Sequence, residues 1–351
     1  MRTGLLHSLA KLPLVVEPET SGEQRYRCPD LAQWMRANAS WIDTQLVAHG
    51  ALLLRGFPIT SAQDFESLAA TVSPEFCDYV GGLSPRKHVA GNISTSTEAP
   101  SFLPIPLHCE MAYLDRYPST IMFWCDTPPR RGGQTPIADM AAICNTIDRG
   151  IRDRMEERGL LLLQNLPGKR SLLTPRTWQQ MFGMDRDGVD AFCVAHGIDN
   201  QWLPDESLRM LSRRPATIVH PRSGARIWFN AVTMHDSYSW ELRRAGQNVL
   251  AAILERSERR GERRQDAQRR SHCTFADGTA IATSDIEHIR ECYWNHAVMF
   301  DWQPGDMMII DNLRVAHGRM PFKGARRILA ALGAATRVPP ATTPRAAQPA
   351  S

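Results

Sequence analysis

The feature that most constrains this sequence is how short its apolar runs are and how abruptly they stop. Ala51–Leu54 is closed by Arg55-Gly56-Phe57-Pro58, Thr120–Cys125 by Asp126, and Ile328–Leu332 by Gly333, while Leu160–Gln164 starts at Gly159 and Met307–Ile310 lies between two aspartates. Runs this short, with no polar alternation, suit strands covered on both faces, because a buried helix needs about ten residues or more. None approaches the roughly 20 apolar residues of a membrane helix. Met1 to His7 hold no apolar stretch of signal-peptide length, so the expected compartment is the cytoplasm.

Between these runs the periodicity changes. Leu31 to His49 carries apolar residues at helical spacing and stops at Gly50, and Thr60 or Ser61 can cap a second helix through Phe65 and Leu68. Ile143–Arg158 reads as a helix, and Thr217–Val219 and Ile227–Phe229 read as strands around a turn at Ser223-Gly224. Tyr79 to Pro106 is rich in Gly, Ser, Thr and Pro, the composition of a loop that covers a site. The pattern predicts a mainly β protein, a sandwich or barrel with helical insertions. One domain is expected over residues 1–337, with a helical insertion at about 140–300 and a disordered Pro/Ala-rich tail at 338–351. Hydrophobic residues at 43% and charged residues at 22% exclude wholesale disorder.

The net charge is only +4, and much of the arginine lies between Glu255 and Arg270, where acids alternate with bases. No aromatic residue is interleaved there for base stacking, so a solvated helix face or loop is expected and no nucleic-acid partner. Eight cysteines include no CxxC pair, which argues against a zinc knuckle or redox motif and for reduced thiols.

Chemistry concentrates in two stretches. Pro106-Leu107-His108-Cys109-Glu110 offers an imidazole and a carboxylate two residues apart, on one face if the segment is a strand. Far downstream, Pro304-Gly305-Asp306 turns into a buried strand, Asp311-Asn312 break it, and His317 follows. Two imidazoles and one carboxylate make the facial triad of non-haem Fe(II) oxygenases, although zinc accepts the same donors.

With these stretches in place, the chain resembles the taurine/2,4-dichlorophenoxyacetate dioxygenase family of Fe(II)/2-oxoglutarate oxygenases. The matching pieces are His49-Gly50-Ala51 to Pro58, the HxE at His108, Gly132-Gly133-Gln134-Thr135-Pro136, the PGD–DN–H stretch and Arg326-Arg327-Ile328-Leu329, in family order. Ser94 to Glu98, Trp228-Phe229-Asn230 and His317-Gly318-Arg319 resemble its syringomycin-type branch, whose members modify amino-acid building blocks of natural products.

The resemblance implies a double-stranded β-helix, a cupin-like jelly-roll core. It implies Fe(II) on His108, Glu110 and His317, with 2-oxoglutarate and O2 as cosubstrates. Thr135 is expected at the 2-oxoglutarate carboxylate, with one of two adjacent arginines clamping it. Strand alternation lets one face inward, and alignment on Ile328 favours Arg326, with Arg327 in reserve. Asn92, Ser94, Thr97, Asn230 and Arg319 are candidate substrate contacts. Trp228 and His235 are weaker candidates for the pocket mouth, and Arg314 is expected to brace the ligand strand. The branch's asparagine between His and Glu is replaced by Cys109, which places a supporting hydrogen bond in question. Because Glu110 is retained, a halogenase is not expected. The expected substrate is amino-acid-like, free or on a peptidyl carrier protein. Hydroxylation is favoured over desaturation or cyclisation, and a nucleic-acid demethylase, a zinc hydrolase and a non-catalytic scaffold stand as rivals.

Overall fold

The computed structural model describes residues 1–19, 27–82, 86–169, 177–234, 238–262 and 271–341. Its centre is an eight-stranded sheet in the order Arg2–Leu5, Leu14–Glu17, Ala51–Leu54, Met307–Asp311, Thr120–Thr127, Arg327–Leu332, Ile93–Thr95, His88–Ala90. Every neighbouring pair is antiparallel except Leu14–Glu17 against Ala51–Leu54.

The four central strands are the uninterrupted apolar runs of the sequence, and their two phases feed two cores. Leu53, Ile121, Phe123, Met308, Ile310, Ile328 and Ala330 face one core. Leu52, Leu54, Met122, Trp124, Met307, Ile309, Leu329 and Ala331 face the other. Successive side chains on a strand leave opposite faces, so a strand buried on both sides has no polar phase.

Helices Cys28–Ala37, Ala39–His49 and Ala62–Val72 cover the second face with Leu31, Met35, Leu46, Phe65 and Leu68. The helix expected over Leu31–His49 is two. Asn38 ends the first, and its side-chain amide returns to the Trp34 carbonyl at 2.8 Å, a local bond that competes with the helix ladder. Ile143–Arg158 is likewise split into Met140–Thr146 and Arg149–Arg158, because Asp148 caps a new helix by accepting from the Ile151 amide at 3.1 Å.

The first core lies between the large sheet and a three-stranded antiparallel sheet, Ile137–Asp139, Val315–Arg319, Ile105–His108. Gly50, at φ +71°, ends its helix against this layer, where a Cβ would collide with Val315. Residues 140–300 are not only helical. They contain a four-stranded sheet, Ile198–Trp202, Leu208–Arg214, Leu160–Leu166, Ser271–Phe275. In the expected tail, Val338 is buried and the Ala341 amide donates to the Thr217 carbonyl, so residues 338–341 are tied to the body. From 342 on, the tail lies outside the described residues, as do His235 and the arginine-rich stretch 263–270. No described helix is long and apolar enough to cross a membrane.

Candidate active site

Two linked motifs set the frame. Gly305, at φ +84°, makes the turn that delivers Asp306 to a fully buried position. Arg55 Nε and Nη2 donate to its two carboxylate oxygens at 3.0 and 2.6 Å, joining positions 251 residues apart. This bidentate pair fixes the entry of the Met307–Asp311 strand beside Ala51–Leu54. At the strand's exit, Asp311 accepts from the Leu313 amide at 3.1 Å and lies 3.0 Å from His220 Nε2.

The strand Val315–Arg319 then carries His317 directly opposite His108 in the antiparallel ladder, with ring centroids 4.6 Å apart. A register shift follows at Gly318, where a Cβ would sit 2.7 Å from the Ile105 carbonyl oxygen. His108 Nδ1 lies 2.8 Å from the Pro106 carbonyl, so Nδ1–H donates there and Nε2 keeps its lone pair for the pocket.

Glu110 does not reach this face by strand alternation. The strand ends at His108, and Glu110 stands in a turn whose next residue, Met111, has φ +58°. Asn312 holds the turn: its Oδ1 accepts from the Glu110 amide at 2.6 Å, and its Nδ2 donates to the Glu110 and Pro118 carbonyls at 3.0 and 2.8 Å. The ligand atoms of His108, Glu110 and His317 all lie within 4.8 Å of one another. His317 Nδ1 is buried with no hydrogen-bond partner. Burial, then the neighbouring His108 and Arg86, push its pKa well below the ordinary histidine value. A neutral imidazole is the form that binds metal.

Beside the three lies a cationic corner. Arg326 Nε donates to the Gly133 carbonyl at 3.1 Å, and its Nη2 lies 3.5 Å from Thr135 Oγ1, which also accepts from Trp302 Nε1 at 3.0 Å. Burial, with Arg319 nearby, lowers the Arg326 pKa to about 9. Arg327 turns out of the pocket to Asp126 at 3.3 Å, with its side chain 47% exposed.

The structure divides the remaining candidates. Thr97 lines the pocket. Arg319 borders it too, but its guanidinium donates to the carbonyls of Ala99, Pro100 and Leu103 and so holds the covering loop. Asn92 is exposed and bound to Glu66, and Ser94 sits in the large sheet opposite Ala330. Asn230 caps its own turn through the Ala216 carbonyl and the Val232 amide. Trp228 is fully buried core, and Arg314 braces the ligand strand against Asp139 at 2.8 Å. Cys109 is buried, which pushes its thiol pKa up, and the hydrogen bonds of the turn run through Asn312 instead.

Gln164 and Arg86, both lining the pocket, escaped sequence reasoning. Gln164 takes a buried phase of the Leu160–Leu166 strand, and a polar residue in phase with leucines was its signal. Arg86 ion-pairs with Glu110 and stacks 4.1 Å over the Tyr79 ring. It stands beside Lys87 in a loop with no motif to single it out.

The family model described as taurine catabolism dioxygenase TauD, TfdA family, matches residues 12–332. The chain belongs to this family. Membership makes it a 2-oxoglutarate-dependent dioxygenase, an oxidoreductase working with Fe(II), 2-oxoglutarate and O2. The dapdiamide synthesis protein DdaC of Enterobacter agglomerans is 34% identical over 292 residues, covering 83% of this chain and 84% of that protein. A clavaminate synthase-like protein of Arabidopsis thaliana is 29% identical over 316 residues, 87% of each. Among solved structures, AAD-2 in complex with Mn(II) and N-oxalylglycine superposes with a TM-score of 0.51 over 96% of this chain and 98% of that one, at 11% identity, which is a likeness of fold.

Proposed function

We propose that this TauD/TfdA-family dioxygenase holds Fe(II) on His108, Glu110 and His317, binds 2-oxoglutarate through Arg326 and Thr135, and hydroxylates an unactivated C–H bond of an amino acid or related small acid. The reading rests on one observation. Two imidazoles locked opposite each other in a ladder and a carboxylate held by Asn312 converge on a single point. The donor set fits Fe(II), since two nitrogens and one oxygen fill one face of an octahedron and leave the other open. The Arg326–Thr135 corner supports the second part, because a guanidinium with so few anionic neighbours suits a bidentate carboxylate. The two sheets packed over the first core are consistent with a double-stranded β-helix.

When bound, iron couples the oxidative decarboxylation of 2-oxoglutarate to substrate oxidation, one oxygen atom leaving in succinate and the other in the product. The chain's own residues position and exclude. Arg326 and Thr135 orient the far carboxylate of the cosubstrate, while Arg319 draws the 99–103 loop over the pocket and keeps water out. The dapdiamide relative supports a place in natural-product biosynthesis, with the substrate free or on a carrier protein. The test is anaerobic loading with Fe(II) and 2-oxoglutarate, followed by substrate-dependent succinate release on admitting air over an amino-acid panel. The expected result is release with at least one substrate, lost in Glu110→Ala. Unchanged release in that variant overturns the ligand assignment.

A further inference from the structure

Arg86 is the pocket group that the reaction leaves unexplained. Its side chain is 8% exposed, and one nitrogen pairs with Glu110 Oε2. Its Nε and Nη1 are buried and have no hydrogen-bond partner. Buried guanidinium N–H groups are seldom left unmade, because each costs about 1–3 kcal/mol of lost hydration. Three of the fully charged side chains lining the pocket are cations, Arg86, Arg319 and Arg326, against one anion, Glu110. A divalent metal on Glu110 and a dianionic cosubstrate facing Arg326 cancel most of their mutual charge. Arg86 would then share its one counter-ion with the metal, and among the described residues no other carboxylate lines the pocket.

We propose that Arg86 binds a free carboxylate of the substrate, so that this dioxygenase selects acids over the matching amides and over thioesters made through the same carboxyl. The inference rests on the metal assignment above and goes beyond it by naming the substrate's charged handle. Arg86 pairs with Glu110, and a metal held on that carboxylate would leave the guanidinium fork to the substrate. The Tyr79 ring beneath it keeps the guanidinium plane fixed, as a bidentate contact requires.

The test is equilibrium binding without turnover. The protein is loaded anaerobically with Fe(II) and 2-oxoglutarate, and its visible charge-transfer band is followed during titration. The probes are the proteinogenic L-amino acids and unbranched dicarboxylic acids of about three to six carbons, each beside its carboxamide. At least one acid is expected to perturb the band about tenfold or more tighter than its amide. Arg86→Gln is expected to erase that preference and Arg86→Lys to keep part of it, while both still bind Mn(II) when titrated with the metal alone. Equal binding of acid and amide by the wild-type protein overturns the proposal without reliance on any variant. So does failure of every acid to perturb the band, and so does a preference that survives in Arg86→Gln. Failure of the band to form at all strikes the metal and cosubstrate assignment instead, and this inference with it.

Discussion

At the scale of single residues, the pocket sets three arginines, Arg86, Arg319 and Arg326, against the carboxylate of Glu110. Glu110 is both the proposed metal donor and the counter-ion of a buried arginine. Glu110→Ala is therefore expected to abolish metal binding and also to destabilise the metal-free protein by about 3–5 kcal/mol, since it strands a buried cation. Adding Arg86→Met should recover most of that loss. Urea melts of the two single variants and the double variant check the cycle, and a Glu110→Ala protein as stable as wild type refutes the pairing. The adjacent arginines separate in the same way. Arg326→Ala should weaken 2-oxoglutarate binding by roughly thirtyfold or more, as loss of a buried charged contact costs about 2–5 kcal/mol. Arg327→Ala, which removes a half-exposed pair with Asp126, should change it by no more than about 1 kcal/mol. Calorimetric titration of the metal-loaded variants reads both. These residues differ in how far the sequence announced them. Arg326 belongs to a motif beside a buried strand, so alternation pointed it inward. Arg86 acquires its meaning only where a motif-free loop folds back onto a carboxylate 24 positions away.

At the scale of elements, the site depends on one strand pairing. His317 faces His108 because Val315–Arg319 and Ile105–His108 share a register, and Gly318 lets the two backbones approach at the shift. Gly318→Ala should drive these strands apart while leaving the eight-stranded sheet intact. Mn(II) affinity is then expected to fall by tenfold or more with a modest loss of stability. Unaltered metal affinity would show that the register tolerates a Cβ. The strands themselves were legible, because a strand buried on both faces shows no polar phase and the runs stop at Gly, Pro or Asp. The helix breaks at Asn38 and Asp148 were less so, since each depends on a side chain bonding its own backbone in competition with the ladder. The turn carrying Glu110 was hidden for a different reason. A strand's alternation and a turn pinned by Asn312 give the same side-chain direction, and only the second leaves Met111 at positive φ.

At the scale of the whole molecule, stability should carry a signature from a group outside the pocket. Glu241, buried and bonded to Trp294 Nε1 at 3.4 Å, has its pKa raised to about 7 by burial, against weaker lowering by that bond and by Arg290 and Arg244. A carboxyl with a raised folded pKa gives stability that is full below its unfolded value, near 4.5, and that is lost as pH rises to about 7. Glu241→Gln is expected to flatten the fall in melting temperature between these values and to leave the protein more stable than wild type at pH 8. An unaltered pH profile removes Glu241 as its source. The clamp of Asn312 on Glu110 has a consequence of another kind. It joins positions 202 residues apart, and the two histidines that face each other across the ladder are as remote. During synthesis the first histidine and the carboxylate leave the ribosome long before Asn312 and His317 exist. On the proposed ligand set a nascent chain therefore has no place to capture iron, and the reactive centre would come into being only once the strands that shield it from solvent close around it.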